Sequence, residues 1–385
     1  MEMGRVVVAS VGYTKVGDHW DKSILDLAVE ASKKALKPYP NIKPDVIIVG
    51  NMFSSKSSRQ EHLGALLASA LNLVGTPAFK VEAACAAGGV AFNIGYRMVR
   101  SGEAASALVV GVEKMRDLDT PEVSLALSMA DSAEYTQFIG ASFLALNAML
   151  ARLYQETYNV TRDELSAFPV IAHQNATTAE HAQFRKAISV EDVSRSPLVS
   201  DPLRLLDCAP IGDGAAAVLL TSDKLLDGEE NRVEVLSSKI STNIFSVYER
   251  EDMLTFSATK DAASKAFSEA GVGVEDVDVL EIHDAFSVTA ALSVEAMGFS
   301  KQGEGAKDAA AGVYSLKGRY PALTFGGLKG RGNPVGATGL YQIAELWLQL
   351  KGRGGLNQVE GCRIGVAQNI GGVDTTSVVT VLAKR

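Results

Sequence analysis

One order of elements runs twice along this chain, and that repetition limits the folds open to it more than any single motif. In the first half a helix-spaced apolar run at residues 25–36 precedes a β-branched, strand-like segment at 44–50. In the second half the same pair recurs at 259–270 and 277–283. The order then continues in both halves. Residues 60–72 read as a helix and lead into a strand at 77–81, a turn of small residues, a helix and a strand at 105–111. Residues 287–298 likewise lead into a strand at 322–325, a glycine-rich turn, a helix at 339–350 and a strand at 362–367. Elements matched in one order along both halves make internal duplication the simplest reading. Strands alternating with helices imply α/β layers, with parallel pairing wherever a helix crosses over.

Residues 116–205 fit neither repeat and read as an insertion folding over the first half. The charged, turn-prone segment 227–232 reads as the boundary. The expected organisation is a first half at 1–226, insertion included, and a second half at 227–385. With 385 residues, 47% apolar and 21% charged, the chain can bury a large core. A net charge of −8 argues against a general nucleic-acid binder. Three cysteines, with no Cys-x-x-Cys pair, give neither a disulfide framework nor a zinc signature, so no metal is expected and a reduced, cytoplasmic setting is the natural reading. The residues following Arg5 look like a first strand, not a signal peptide. No apolar run approaches the ~20 residues a membrane-spanning helix needs.

The two glycine- and alanine-rich turns carry the chemistry. The first is Val81-Glu82-Ala83-Ala84-Cys85-Ala86-Ala87-Gly88-Gly89. A cysteine opening a helix sits at the positive end of the dipole, where a thiolate is favoured, and the N–H groups there can hold a thioester oxygen. The second is Gly326-Gly327-Leu328-Lys329-Gly330-Arg331-Gly332-Asn333-Pro334. Asn333 is a polar partner for the cysteine, or a turn former. His283 closes a buried strand, where open α/β sheets place their sites. Asn369 and Gly371 follow the last-named strand and also fit a plain turn. Cys208 and Cys362 read as packing residues, and the remaining histidines as surface or insertion residues.

Taken together these motifs resemble the thiolase superfamily from end to end, and the archaeal and sterol-carrier-protein branch most closely. The matching segments are Val-Glu-Ala-Ala-Cys85, Gly111-Val-Glu-Lys-Met115, Cys208-Ala-Pro-Ile-Gly-Asp-Gly214, His283-Asp-Ala-Phe286, Gly326-Gly-Leu-Lys329 and Gly332-Asn-Pro-Val-Gly-Ala-Thr-Gly339. The resemblance implies a duplicated βαβαβαββ scaffold in five layers, α/β/α/β/α. It implies no bound cofactor, a coenzyme A thioester as substrate, and an acyl group carried on Cys85. His283 would contribute to an oxyanion hole, with Asn369, Gly371 and Gly327 on the substrate side. It also implies a homodimer or dimer of dimers, and an assembly with a zinc-ribbon/OB-fold protein and a hydroxymethylglutaryl-CoA synthase. Three positions depart from the pattern. Asn333 replaces the histidine of Gly-His-Pro, Ala285 replaces the cysteine of His-Asp-Cys-Phe, and Asn369-Ile-Gly371 stands where other branches carry Cys-x-Gly. Three functions follow: thiolase chemistry on acetyl- and acetoacetyl-CoA, a decarboxylating or other carbon–carbon reaction using Cys85, His283 and Asn333, or a non-catalytic acyl-CoA-binding scaffold.

Overall fold

The computed structural model describes residues 4–226 and 230–385, so part of the expected boundary, residues 227–229, lies outside the described residues. The strands in chain order are β1 (Val6–Tyr13), β2 (Val46–Gly50), β3 (Ala78–Val81), β4 (Ser106–Glu113), β5 (Leu198–Ser200), β6 (Leu203–Arg204), β7 (Gly214–Ser222), β8 (Val233–Thr242), β9 (Val279–Glu281), β10 (Ile364–Gly371) and β11 (Thr376–Lys384). β5 and β6 form a small ribbon, and the others form one nine-stranded sheet in the order β3-β2-β4-β7-β1-β8-β11-β10-β9. Read outward from its middle, this sheet repeats itself. β1, β7, β4, β2 and β3 run one way. β8, β11, β10 and β9 run the other, and Ala322 bridges to Leu280 of β9 in the fifth place.

β1 and β8 meet at a single register, Val7 opposite Glu234, so the two half-sheets are free to diverge on either side of a helical layer. That layer is the helix pair Ala87–Ser101 and Thr338–Leu350, which pack on each other and on strands of both half-sheets. Ile24–Leu36 and Leu63–Ala70 cover the outer face of the first half-sheet. Ser257–Ala270 covers the second, with Ser287–Ala296 packed behind it. The five expected layers are therefore present.

Side-chain alternation explains how each strand serves two layers. Along β2, Val46 and Ile48 join the cluster containing Phe92 and Leu340 of the central helices, whereas Ile47 and Val49 join Leu27, Ala31 and Leu67 outside. Local signals set the helix ends: Ser23 and Asp26 form a capping box, and Gly102 ends the first central helix in the left-handed region at φ 79.

Two expectations are corrected. The segment 322–325 makes one bridge, not a strand. Leu280 N–H donates to Pro321 O at 2.8 Å and Leu323 N–H donates to Leu280 O at 3.1 Å, after which Leu323 turns away at φ 54. Glu281 then takes over from the ladder, because its Oε1 accepts from both the amide (2.8 Å) and the hydroxyl (2.6 Å) of Thr324.

The insertion, moreover, packs mainly on the second half. Leu146, Leu150, Tyr154 and Phe168 share a cluster with Val288, Leu292, Phe299 and Tyr314. The helix Ser287–Ala296 is apolar nearly all round and needs cover on more than one side, which the insertion supplies. Only its opening helix, Thr120–Ser128, stays by the Cys85 turn, through Val123 and Ala126. Among the described residues no helix is long and apolar enough to cross a membrane.

Candidate active site

The two small-residue turns meet where the central helices begin. A Cβ at Gly88 would fall 2.8 Å from Gly336 O, and one at Gly339 would fall 2.5 Å from Gly89 N. Side chains there would force the helices apart, so the glycines are what let both turns share one seam. Between β3 and the first central helix, Ala84 takes φ 50 while Glu82 Oε1 accepts its N–H at 2.6 Å. This carries Cys85 inward, where it is 4% exposed among Met52, Phe53, Met115, Val123, Ala126 and Val335. The expected fall in its pKa does not occur. Burial, then the Glu113 carboxylate, push the thiol up to about 12, against a smaller opposing pull from its own backbone N–H. Desolvation of a thiolate outweighs the partial charge of a helix end.

His283 follows β9 and is held by two consecutive residues of β10. Gln368 Oε1 accepts the His283 backbone N–H at 2.9 Å, and Asn369 Nδ2 lies 3.3 Å from its ring Nδ1. Because neighbours on a strand point to opposite faces, Gln368 reaches Thr259 and Ser293 outward, and Asn369 reaches the central helices. There Asn369 Nδ2 donates to Cys85 O at 3.1 Å and Oδ1 accepts from Gly89 N–H at 3.1 Å. Asn369 therefore ties His283 to the Cys85 turn, using both amide hydrogens on protein partners. Burial, then the Arg331 and Lys329 cations, push His283 down to about 3. Its imidazole is neutral at working pH and a poor base, so the histidine's usefulness lies in its N–H.

Asn333 is half-buried and pairs with Ile211 through an isolated bridge. Thr338 Oγ1 donates to its Oδ1 at 2.7 Å, which identifies that atom as the oxygen and keeps the amide N–H groups as donors. Both Ile211 and Val335 belong to the apolar surround of Cys85, which brings Asn333 to the same site. Gly371 also belongs there, pressed so closely on Ala83 and Ala86 that it has no room for a side chain. Gly327 does not. At φ 52 it packs on Asp284 and Leu323, next to the buried Lys329–Asp284 pair, and connects to the site through the chain at His283. Cys208 Sγ bonds Arg204 O and Cys362 Sγ bonds Gln349 O, away from the Cys85 cluster.

Sequence reasoning passed over Glu113. This fully buried carboxylate accepts from Asn51 Nδ2 (2.7 Å), Met52 N–H (2.8 Å), Phe53 N–H (3.4 Å) and Gly336 N–H (3.1 Å). It thus latches the second turn to the loop beneath Cys85. The available signal was an acidic residue closing an otherwise apolar strand, Ser106–Glu113. Burial pushes its pKa up to about 7 against the four donors. Between the unfolded value near 4.5 and about 7, the folded state keeps a proton that the unfolded state has released. This group's contribution to stability is therefore greatest below that window and falls as pH rises through it. Glu113→Gln should flatten that slope in melting temperature between pH 5 and 8. It should also cost about 1–3 kcal/mol overall, because an amide NH2 then faces N–H donors. An unchanged slope would reject the assignment.

A cavity of about 650 Å³ opens beside the site, lined by Lys15, His19, Arg116, Gln183, Pro210 and Ile211. Ile211, which lines it, pairs with Asn333, so the cavity borders the Asn333 side of the seam. A smaller one of about 290 Å³ lies behind the Cys85 turn, against Ala83, Ala84, Met129 and Gly371.

Known proteins resemble this chain along nearly its whole length. A family model for the thiolase N-terminal domain matches residues 6–224, and a thiolase C-terminal domain-like model matches 241–384. An acetyl-CoA acetyltransferase of Methanothermobacter thermautotrophicus is 39% identical, over 99% of this chain and 100% of its own. Human sterol carrier protein 2 is 30% identical, over 95% of this chain and 70% of its own. The solved Ltp2–ChsH2(DUF35) aldolase has the same fold, with a TM-score of 0.85 over 100% of this chain and 98% of that one at 19% identity. With its duplicated sheet, its Cys85 turn and matches that span both halves, this chain belongs to the thiolase family.

Proposed function

We propose that the protein is a thiolase-type acyltransferase that forms or cleaves short 3-oxoacyl-CoA thioesters of the acetoacetyl-CoA kind through an acyl group on Cys85. The observation that carries this reading is the hydrogen-bonded chain from Cys85 O through Asn369 to His283. It ties the backbone of the proposed nucleophile to the ring of the proposed donor, and both residues are buried. The M. thermautotrophicus relative's acetyltransferase activity supports the choice of substrate class.

In the first step Cys85 Sγ bonds the acyl carbon and the bond to the CoA sulfur breaks. The Cys85 proton ends on the departing CoA thiolate, so this exchange needs a relay but no net base. Donors aimed at the developing oxyanion lower its barrier, and the His283 N–H and the Asn333 amide are the groups suited to that work. In the second step an acyl-CoA gives up its Cα proton to solvent, the enolate bonds the acyl carbon, the bond to Cys85 Sγ breaks, and the thiolate so released takes a proton back from solvent. Asn333 can donate to that enolate, although an amide cannot take a proton at neutral pH. Asn333→His should raise acetoacetyl-CoA thiolysis about tenfold or more by restoring a titratable group at the second turn. The assay is loss of acetoacetyl-CoA absorbance on adding CoA. No turnover by either protein in either direction, with an assembly partner supplied, would overturn the thiolase reading and leave the decarboxylating reaction and the acyl-CoA-binding scaffold.

A second reading has its own observation. Neither Cys208 nor Cys362 packs with Cys85, and Ala285 and Asn369 stand where relatives of this fold carry a second thiol. A decarboxylating condensation makes its enolate without a Cα base and would suit Cys85, His283 and Asn333. Release of carbon dioxide from malonyl-CoA in the presence of acyl-CoA distinguishes it.

For assembly we propose a homodimer formed along β3, the outermost strand of its half-sheet. An open strand edge is a natural pairing surface. The Ltp2–ChsH2(DUF35) pairing supports a further partner of the zinc-ribbon/OB-fold kind, and a hydroxymethylglutaryl-CoA synthase completes the proposed assembly.

A further inference from the structure

Asn369 reads in the sequence as a group that touches substrate. Its surroundings give it another task. The side chain is 3% exposed, and all of its hydrogen-bonding partners are protein atoms. The Gly89 N–H can only donate, so the amide atom 3.1 Å from it is the oxygen. The close approach requires a glycine at 89, because a Cβ there would fall 2.8 Å from the same oxygen. The amide nitrogen therefore faces Cys85 O and His283 Nδ1, and it has only hydrogens to offer. A ring nitrogen that receives a hydrogen bond must keep its lone pair. A neutral imidazole then carries its proton on the other nitrogen.

We infer that Asn369 is a positioning residue that locks His283 in the Nε2–H tautomer, making it a fixed hydrogen-bond donor to the substrate oxygen. The backbone bond to Gln368 holds the histidine from the other side, so neither ring nor main chain is free to turn. Among the described residues no protein group bonds Nε2, which leaves that N–H for a ligand. One strand thus supplies two adjacent amides with separate duties, one for the histidine backbone and one for its tautomer. The consequence for turnover rests on the acyltransfer reading above, but the tautomer is set without any substrate.

The test is nitrogen NMR of protein labelled with ¹⁵N-histidine, comparing wild type with Asn369→Asp and His283→Ala, the last to assign the signal. Wild type is expected to show His283 Nδ1 as an unprotonated ring nitrogen and Nε2 as an N–H. In Asn369→Asp a carboxylate replaces the donor, so the proton is expected on Nδ1. Turnover should then fall about 10–100-fold in kcat with KM little changed, since a donor made for the transition state is lost. A wild-type spectrum with Nδ1 protonated overturns the inference, and it does so even if the aspartate variant fails to fold. An aspartate variant that folds and keeps the wild-type tautomer also overturns it. A switched tautomer with unchanged turnover supports the positioning role and counts against the oxyanion role proposed for His283.

Discussion

Cys85→Ala is expected to lose acyl-enzyme formation outright and to lower turnover at least about a thousandfold, since no other thiol packs in the same cluster. Intact-mass measurement after mixing with acetyl-CoA or acetoacetyl-CoA reads the first effect. Wild type should gain one acyl group that a second substrate removes, and the variant should gain none. The raised pKa adds a finer expectation. A thiol paired with a basic histidine reaches its full alkylation rate below neutral pH. Here burial holds the thiol near 12 and His283 is too weak a base, so reaction with iodoacetamide should keep rising past pH 9. A plateau below pH 7 would mean that an ion pair forms which the buried geometry does not favour. An acyl group of normal stoichiometry on Cys85→Ala would place the nucleophile elsewhere.

His283→Ala should lower kcat about 10²–10³-fold, the usual effect of removing one oxyanion donor, with a much smaller change in KM. The truncation leaves one Asn369 hydrogen without an acceptor and empties a buried site, so melting temperature must be followed alongside activity. A folded variant with more than about a tenth of wild-type kcat would remove His283 from the chemistry. Its low pKa makes the pH profile informative too. Because burial and two nearby cations keep the ring neutral, no limb with a midpoint between pH 5 and 8 should disappear in the variant. If one does disappear, His283 titrates as an acid or base after all.

Much of this was legible before any coordinates. The repeated element order follows from periodicity, because a buried strand and an amphipathic helix each leave a local record of spacing. The Cys85 turn was legible for the same reason: a cysteine among alanines and glycines at a strand–helix junction is a local pattern. His283 was found from its place at a strand end. Other features depend on what folds against them. Residues 322–325 have the composition of a strand, yet Glu281 reaches across to bond Thr324 and the ladder stops after one bridge. The insertion follows the first half in sequence and packs mainly on the second, because the apolar helix Ser287–Ala296 needs cover there.

The site divides in the same way. The sequence by itself determined the duplicated α/β scaffold and singled out Cys85 as the proposed nucleophile. It also led to the expectation that Asn333 and Ala285 stand in place of groups used in the chemistry of the family it resembles. The tertiary structure alone decided how those residues are poised. It placed Cys85 where burial outweighs the helix end, set Glu113 as the latch beneath it, and turned Asn369 from a substrate contact into the tie between Cys85 and His283. The physical reason is that spacing and turn chemistry are local along the chain. Desolvation and hydrogen-bond direction are set by atoms that lie far apart in sequence and meet only when the chain is folded.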